Sequence, residues 1–241
     1  MNTNMPIRNF PAPAKLNLML RVVGRRADGY HLLQTVFRFI DFGDTLGFDV
    51  RDDGVITRRW PVDGVAEADD LCLRAARLLQ RSTATGRGAD ISLDKRLPLG
   101  GGLGGGSSDA ATTLLALNHL WQTGLSRRDL QELAVELGAD VPVFVFGDNA
   151  FAEGIGERLT PIALPPAWYV VLIPPVAVST ARVFAHPELK RDSKMITIQS
   201  FSVGQAANDL EPLVCRLYPE VGRHLAWLRT VGDTLGEPQM T

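Results

Sequence analysis

The chain is short of cysteine: only Cys72 and Cys215 occur in 241 residues. Each lies in a helical pattern without a C-x-x-C partner or nearby histidines, which argues against a disulfide framework or a cysteine metal site and leaves buried, reduced thiols as the expectation. Long apolar runs are lacking too. No segment approaches the roughly 20 residues needed to span a bilayer, and Met1-Asn2-Thr3-Asn4-Met5-Pro6 has neither the charged nor the apolar part of a signal peptide. A cytoplasmic location is expected. Neither sign of charge dominates: 25 Lys and Arg against 27 Asp and Glu leave a formal net charge of -2. That balance argues against a nucleic acid polymer as partner, and Arg25-Arg26 and Arg58-Arg59 read as solvated loop charges. Internal repeats and low-complexity tracts are absent, while 45% hydrophobic content supports the core of one large domain or two small ones.

Glycine is concentrated in one place. In Leu99-Gly100-Gly101-Gly102-Leu103-Gly104-Gly105-Gly106-Ser107-Ser108-Asp109, six glycines fill seven positions. Ordering so many glycines costs chain entropy, and a structural turn needs only one or two. Ala110 to Trp121 then reads as a helix, with Ser107, Ser108 or Asp109 as its N-cap. A glycine loop running into a helix N-terminus gathers bare N–H groups at the positive end of the helix dipole, which suits a phosphate. A P-loop would need Lys and then Ser or Thr after the last glycine, and Gly106 is followed directly by Ser107. The dinucleotide fingerprint G-x-G-x-x-G matches Gly100, Gly102 and Gly105. In a run this rich in glycine, however, the match is nearly automatic, and Lys95-Arg96-Leu97-Pro98 before it is not a buried parallel strand.

Elsewhere, Ala14 to Val22 alternates as a strand that puts Leu16, Leu18, Leu20 and Val22 on one face and Lys15 with Asn17 on the other. Two polar side chains at that spacing either reach one ligand together or are simply solvated. Gly24 to His31 is a turn centred on Asp28-Gly29. Tyr30 and His31 just beyond it suit reading a nucleobase, or ordinary packing. Asp44 to Val50, Gly54 to Arg59 and Ala89 to Leu93 read as strands, and Asp70 to Gln80 as a helix. The last of these strands delivers Asp94-Lys95-Arg96 to the mouth of the glycine loop. Ser126 caps a helix running to Leu137, and Gly138-Ala139-Asp140-Val141-Pro142 then sets a carboxylate on a short rigid connection, as a turn aspartate or a catalytic one. Ala150 to Glu153 reads as a strand and Trp168 to Ile173 as a buried strand. Ser179-Thr180 opens a short helix carrying Phe184, and Gln205 to Leu217 and Pro219 to Val231 read as helices.

Pro98-Leu99-Gly100-Gly101-Gly102-Leu103-Gly104-Gly105-Gly106-Ser107-Ser108 resembles the ATP-binding motif of the GHMP kinases, the superfamily of galactokinase, homoserine kinase and mevalonate kinase. Pro13-Ala14-Lys15-Leu16-Asn17-Leu18, Arg26-Ala27-Asp28-Gly29-Tyr30-His31, Gly138-Ala139-Asp140-Val141-Pro142-Val143-Phe144 and Asn208-Asp209-Leu210-Glu211 follow in the order and spacing of one branch. That branch phosphorylates a small molecule bearing a cytidine diphosphate group, in the non-mevalonate route to isoprenoid precursors. The resemblance implies an α+β, two-domain GHMP kinase fold: a ribosomal protein S5 domain 2-like, ATP-binding domain over residues 1–158 and a ferredoxin-like, substrate-side domain over 159–241. It implies that Asp140 accepts the proton of the attacking hydroxyl and Lys15 stabilises charge at the reacting centre. Pro98 to Ser108 would hold the ATP phosphates, with Lys95 beside them. Tyr30 and Phe184 would sandwich the cytosine ring, His31 would bond its polar edge, and Asn17 would reach the substrate. ATP is the expected co-substrate, with Mg2+ held between phosphates, water and at most one or two side chains such as Ser108, since no dedicated metal cluster is present. A monomer or weak homodimer is expected.

The family pattern continues into a Gly-Ser-Gly loop and a strand, whereas this chain stops at Met240-Thr241. The second domain is therefore expected to be incomplete and turnover reduced, because a glycine loop supplies backbone donors near the transferred phosphate. Two other readings stay open: a different GHMP kinase, of the homoserine or mevalonate type, and a nucleotide-binding module made inactive by truncation.

Overall fold

A computed structural model describes residues 9–201, 207–231 and 237–241. Residues 1–6 and Gln205, the expected start of a helix, lie outside them. The chain gathers into two compact units that interleave along the sequence. The first comprises Met1–Ala14, Ile40–Pro98 and Gly104–Gly147, the second Lys15–Phe39, Leu99–Leu103 and Asp148–Thr241. Interleaving follows from two long strands, β1 (Phe10–Arg25) and β2 (His31–Arg51), each of which contributes to both units. Residue 158, the expected domain boundary, falls inside the second unit.

In the first unit, Thr45 to Arg51 of β2 pairs antiparallel with Gly88–Asp94, and that strand pairs in parallel with Ile56–Arg58. In chain order these are β3 (Ile56–Arg58) and β4 (Gly88–Asp94). The helix between them, α1 (Leu71–Thr83), starts where Asp70 accepts from the N–H groups of Cys72 and Leu73 at 2.9 and 3.2 Å. Arg58 pairs with the second oxygen of Asp70, so the cap also ties the helix to β3. A stripe of Cys72, Leu73, Ala75, Ala76, Leu78 and Leu79 is buried, and α1 packs on α2 (Gly105–Trp121). Small and apolar side chains cover most of α2, so it is buried on nearly every side. Gly104, at φ 73°, stands at its N-cap position without a side-chain bond. The expected caps Ser107, Ser108 and Asp109 instead lie within its first turns, because the helix begins among the glycines. Ser126 and Asp129 form a capping box for α3 (Arg127–Ala134), and a further helix, α4 (Val141–Phe146), closes on Gly147 at φ 80°.

In the second unit, β1 and β2 meet at a turn in which the Arg26 N–H donates to the Tyr30 carbonyl at 2.7 Å and Gly29 adopts φ 93°, a conformation open to glycine. Leu33 to Phe37 pairs antiparallel with β5 (Ala150–Gly154), which pairs with β6 (Arg158–Pro161). Leu20 exchanges backbone bonds with Ala207 and Asp209 at 3.0 and 2.9 Å, and Val22, Val183, Leu189, Leu210, Leu213 and Val214 form the core. Among the described residues its α-helices are α5 (Thr180–Ala185), α6 (Glu211–Leu217) and α7 (Pro219–Leu228).

Three further expectations are corrected. Arg58, expected as a solvated loop charge, lies in β3 with its side chain buried against Asp70, whose carboxylate compensates the buried guanidinium. Trp168 to Ile173 is not a strand, and Trp168 and Val170 are exposed. Its composition signals burial, but a strand also needs a neighbouring ladder, and among the described residues none runs beside it. Cys72 is buried as expected, whereas Cys215 is only half-buried. Among the described residues no helix is long and apolar enough to cross a membrane.

Candidate functional site

Strand alternation puts Lys15 and Asn17 on one face of β1, and the surroundings bury both, each 5% exposed. The Lys15 ammonium donates to Asn17 Oδ1. The Asn17 amide donates to Thr35 Oγ1 at 2.8 Å, and Thr35 donates to the Met19 carbonyl at 2.6 Å. This chain of donors sets the orientation of the Asn17 amide and gives a buried cation a polar partner, without which its desolvation would be costly. Lys15 also donates its backbone N–H to the carbonyl of Leu103 at 3.0 Å. That bond draws the middle of the glycine loop onto the strand beside the lysine. Sequence reading missed Thr35; an isolated threonine in an apolar strand carries no signal of its own.

The loop adopts left-handed backbone at Gly100, Gly102 and Gly104, with φ of 71, 75 and 73°. Leu99 is exposed and Leu103 buried, so Leu103 anchors the loop while its glycines present backbone. Where the loop enters α2, a Cβ on Gly105 would lie 2.9 Å from Lys95 Nζ and 3.1 Å from Leu97 Cβ. Lys95, placed there by the end of β4, spends its ammonium on two carboxylates: Asp44 at 2.5 Å and Asp109 at 2.8 Å. Asp44 also accepts from the N–H groups of Arg96 and Leu97 at 2.6 and 2.7 Å, so one buried carboxylate shapes the whole Lys95-to-Leu97 corner. Burial pushes the Asp109 carboxyl up to about 7 against the pull of Lys95. Asp109 Oδ1 and the neighbouring Ser108 Oγ are buried without a hydrogen-bond partner among the described residues. Asp44 was missed in the sequence as a site residue; a carboxylate interrupting a strand pattern was the available signal.

Asp140 stands at the N-cap position of α4, half-buried, with φ -88° and ψ -11°, and its side chain does not cap that helix. Pro142 in the first turn stiffens the connection. In the second unit, His31 opens β2 and Phe184 comes from α5, whose N-cap Ser179 accepts from the Arg182 N–H at 3.3 Å. Their rings lie 5.1 Å apart at 38°. Burial first, then the Arg191 and Arg25 guanidiniums, lower the pKa of His31, favouring the neutral imidazole. Tyr30 is 61% exposed on the turn and makes no ring contact with Phe184 among the described residues. The structure thus joins Lys15 with Asn17 and His31 with Phe184, and ties Leu103 of the loop to Lys15.

A glycine loop entering a buried helix, set in a mixed α+β framework, is the architecture of a GHMP kinase, and residues 70–148 match the family model for the GHMP kinases N terminal domain. The 4-diphosphocytidyl-2-C-methyl-D-erythritol kinase of Nitrosospira multiformis is 68% identical over 91% of this chain and 74% of its own length. That of Thiobacillus denitrificans is 64% identical over 93% of this chain and 81% of its own length. A solved structure of a 4-(cytidine 5'-diphospho)-2C-methyl-D-erythritol kinase superposes with a TM-score of 0.78 at 36% identity, covering 93% of this chain and 84% of that one. The chain belongs to the 4-diphosphocytidyl-2-C-methyl-D-erythritol kinase family.

Proposed function

We propose that this kinase transfers the γ-phosphate of ATP to the 2-hydroxyl of 4-diphosphocytidyl-2-C-methyl-D-erythritol, a step of the non-mevalonate route to isoprenoid precursors. The observation that carries this reading is the occurrence, in a chain 68% identical to a kinase of that name, of a glycine loop entering α2 together with a His31–Phe184 ring pair. Phosphoryl transfer asks mainly for positioning and charge neutralisation. Backbone N–H groups of Pro98-to-Ser108, Pro98 itself excepted, receive the ATP phosphates, and Lys95 contributes by holding the mouth of that loop through Asp44 and Asp109. Asp140 takes the proton of the attacking hydroxyl, and Lys15 offsets the charge that develops as the phosphoryl group moves. Asn17 binds substrate, Tyr30 and Phe184 stack on the cytosine, and His31 bonds its edge.

Mg2+ bound with ATP would neutralise phosphate charge. The buried hydroxyl of Ser108, without a hydrogen-bond partner among the described residues, fits one hard oxygen ligand, with phosphates and water supplying the rest. In this reading residues 1–158 carry the nucleotide and 159–241 complete the substrate side through Phe184. The protein acts as a monomer or weak homodimer on small molecules.

The test is ADP release from ATP with the cytidylated substrate, run beside homoserine and mevalonate. Turnover with the cytidylated substrate alone is expected. Preference for either other alcohol would overturn the substrate assignment, and ATP binding without transfer to any of them would favour a nucleotide-binding module.

A further inference from the structure

Arg191 lies seven residues beyond Phe184, outside the motifs that carry the family resemblance. A guanidinium has five N–H donors, and here acceptors meet both ends of the group and its middle. Nε donates to His31 Nε2 at 3.0 Å. One terminal nitrogen donates to the carbonyls of Pro187 and Leu189 at 3.3 and 2.9 Å. The other donates to the carbonyls of Phe184 and His186 at 3.1 and 2.7 Å. All five acceptors are neutral, so among the described residues the arginine is not held as half of an ion pair. Its planar fork collects the carbonyls that follow α5 and fastens them to the first residue of β2.

The bond to His31 has a chemical consequence. Nε2 accepts only when it carries no proton, so the neutral ring must hold its proton on Nδ1. A guanidinium in contact with the ring also opposes the imidazolium form, in line with the lowered pKa of His31. We propose that Arg191 is a positioning residue that fixes His31 as the Nδ1–H tautomer and joins it to the segment carrying Phe184, so that the base pocket offers a defined donor to an acceptor atom of the pyrimidine. This rests on the reading of His31 and Phe184 as the cytosine site. Arg191 acts through His31 and Phe184, so its effect falls on substrate affinity and leaves the chemical step alone.

Two measurements on the full chain test it. In the first, 15N chemical shifts of histidine-labelled protein report the His31 tautomer without substrate and without any substitution. Protonated Nδ1 with bare Nε2 is expected; protonated Nε2 overturns the proposal. In the second, Arg191→Met keeps the aliphatic stem and removes all five donors, and Arg191→Lys keeps the charge without the fork. Both are expected to raise KM for the cytidylated substrate on the order of tenfold or more, with kcat and KM for ATP within about twofold, and Arg191→Met is expected to shift His31 toward the Nε2–H form. An unchanged tautomer and KM in Arg191→Met, or a parallel fall in kcat, ATP affinity and Tm in both variants, would overturn it in favour of a purely structural strut. Cytidine diphosphate binding by the unsubstituted protein separates the two levels. Its absence would sink the base-pocket reading and the substrate half of this proposal, while the tautomer result stands apart.

Discussion

The Lys95 ammonium lies 2.8 Å from the carboxylate of Asp109, inside the helix that the glycine loop enters. Because Asp44 already pairs with Lys95, one cation serves two buried acids, and burial carries Asp109 from 3.8 to about 7. The folded chain therefore binds more protons than the unfolded chain between those values. Stability falls as pH rises from about 4 to about 7, and the cost is fully present above that range, on the order of a few kcal/mol. Asp109→Asn still accepts from Lys95 without carrying charge. Thermal denaturation at pH 5 and pH 8 should show the variant gaining on the parent chiefly at pH 8; an equal difference at both would show that Asp109 does not titrate in between.

Asp140→Asn keeps the shape of the side chain and removes its basicity. The expected result is a loss of kcat on the order of 10² to 10⁴ with ATP affinity preserved. Steady-state rates with equilibrium nucleotide titration check both halves, and a rate close to the parent would remove Asp140 from the chemistry.

Phe184→Ala deletes the ring that lies against His31. Stacking on a base contributes about 1 to 3 kcal/mol, so KM for the cytidylated substrate should rise while KM for ATP stays constant. Tyr30→Ala should behave alike. A larger effect on kcat than on substrate KM in either variant would place that ring outside the base site.

Gly105→Ala puts a Cβ against the Lys95 ammonium and the Leu97 side chain. The ammonium is held by two carboxylates and has little room to yield, so the overpacking cost is about 1 to 3 kcal/mol. Urea denaturation measures it. A variant as stable as the parent would show that the corner relaxes more freely than its ion pairs suggest.

Much of this was legible in sequence because it depends on local chemistry. Six glycines before an apolar helix announce a loop of bared backbone, left-handed at Gly100, Gly102 and Gly104, and Ser126 with Asp129 announces a capped helix. Alternation in β1 already put Lys15 and Asn17 on one face. Other features were not legible. The helix after the glycine loop begins at Gly105 with no side-chain cap, contrary to residue preference, since burial of α2 outweighs the choice of cap. The apolar Trp168-to-Ile173 stretch has the composition of a strand and lacks a partner to pair with among the described residues.

The sequence by itself determined the family, the glycine loop that opens α2 and the residue types available to a kinase, because each is written in short-range order and spacing. Tertiary structure alone decided which of those residues are committed to one another. Lys95 is 51 residues from Asp44, and Arg191 is 160 residues from His31. Separations of that size are closed by strand pairing and core burial, and no local pattern records them. Whether a lysine is solvated, faces a ligand or is held between two buried carboxylates is settled by the groups that folding packs around it.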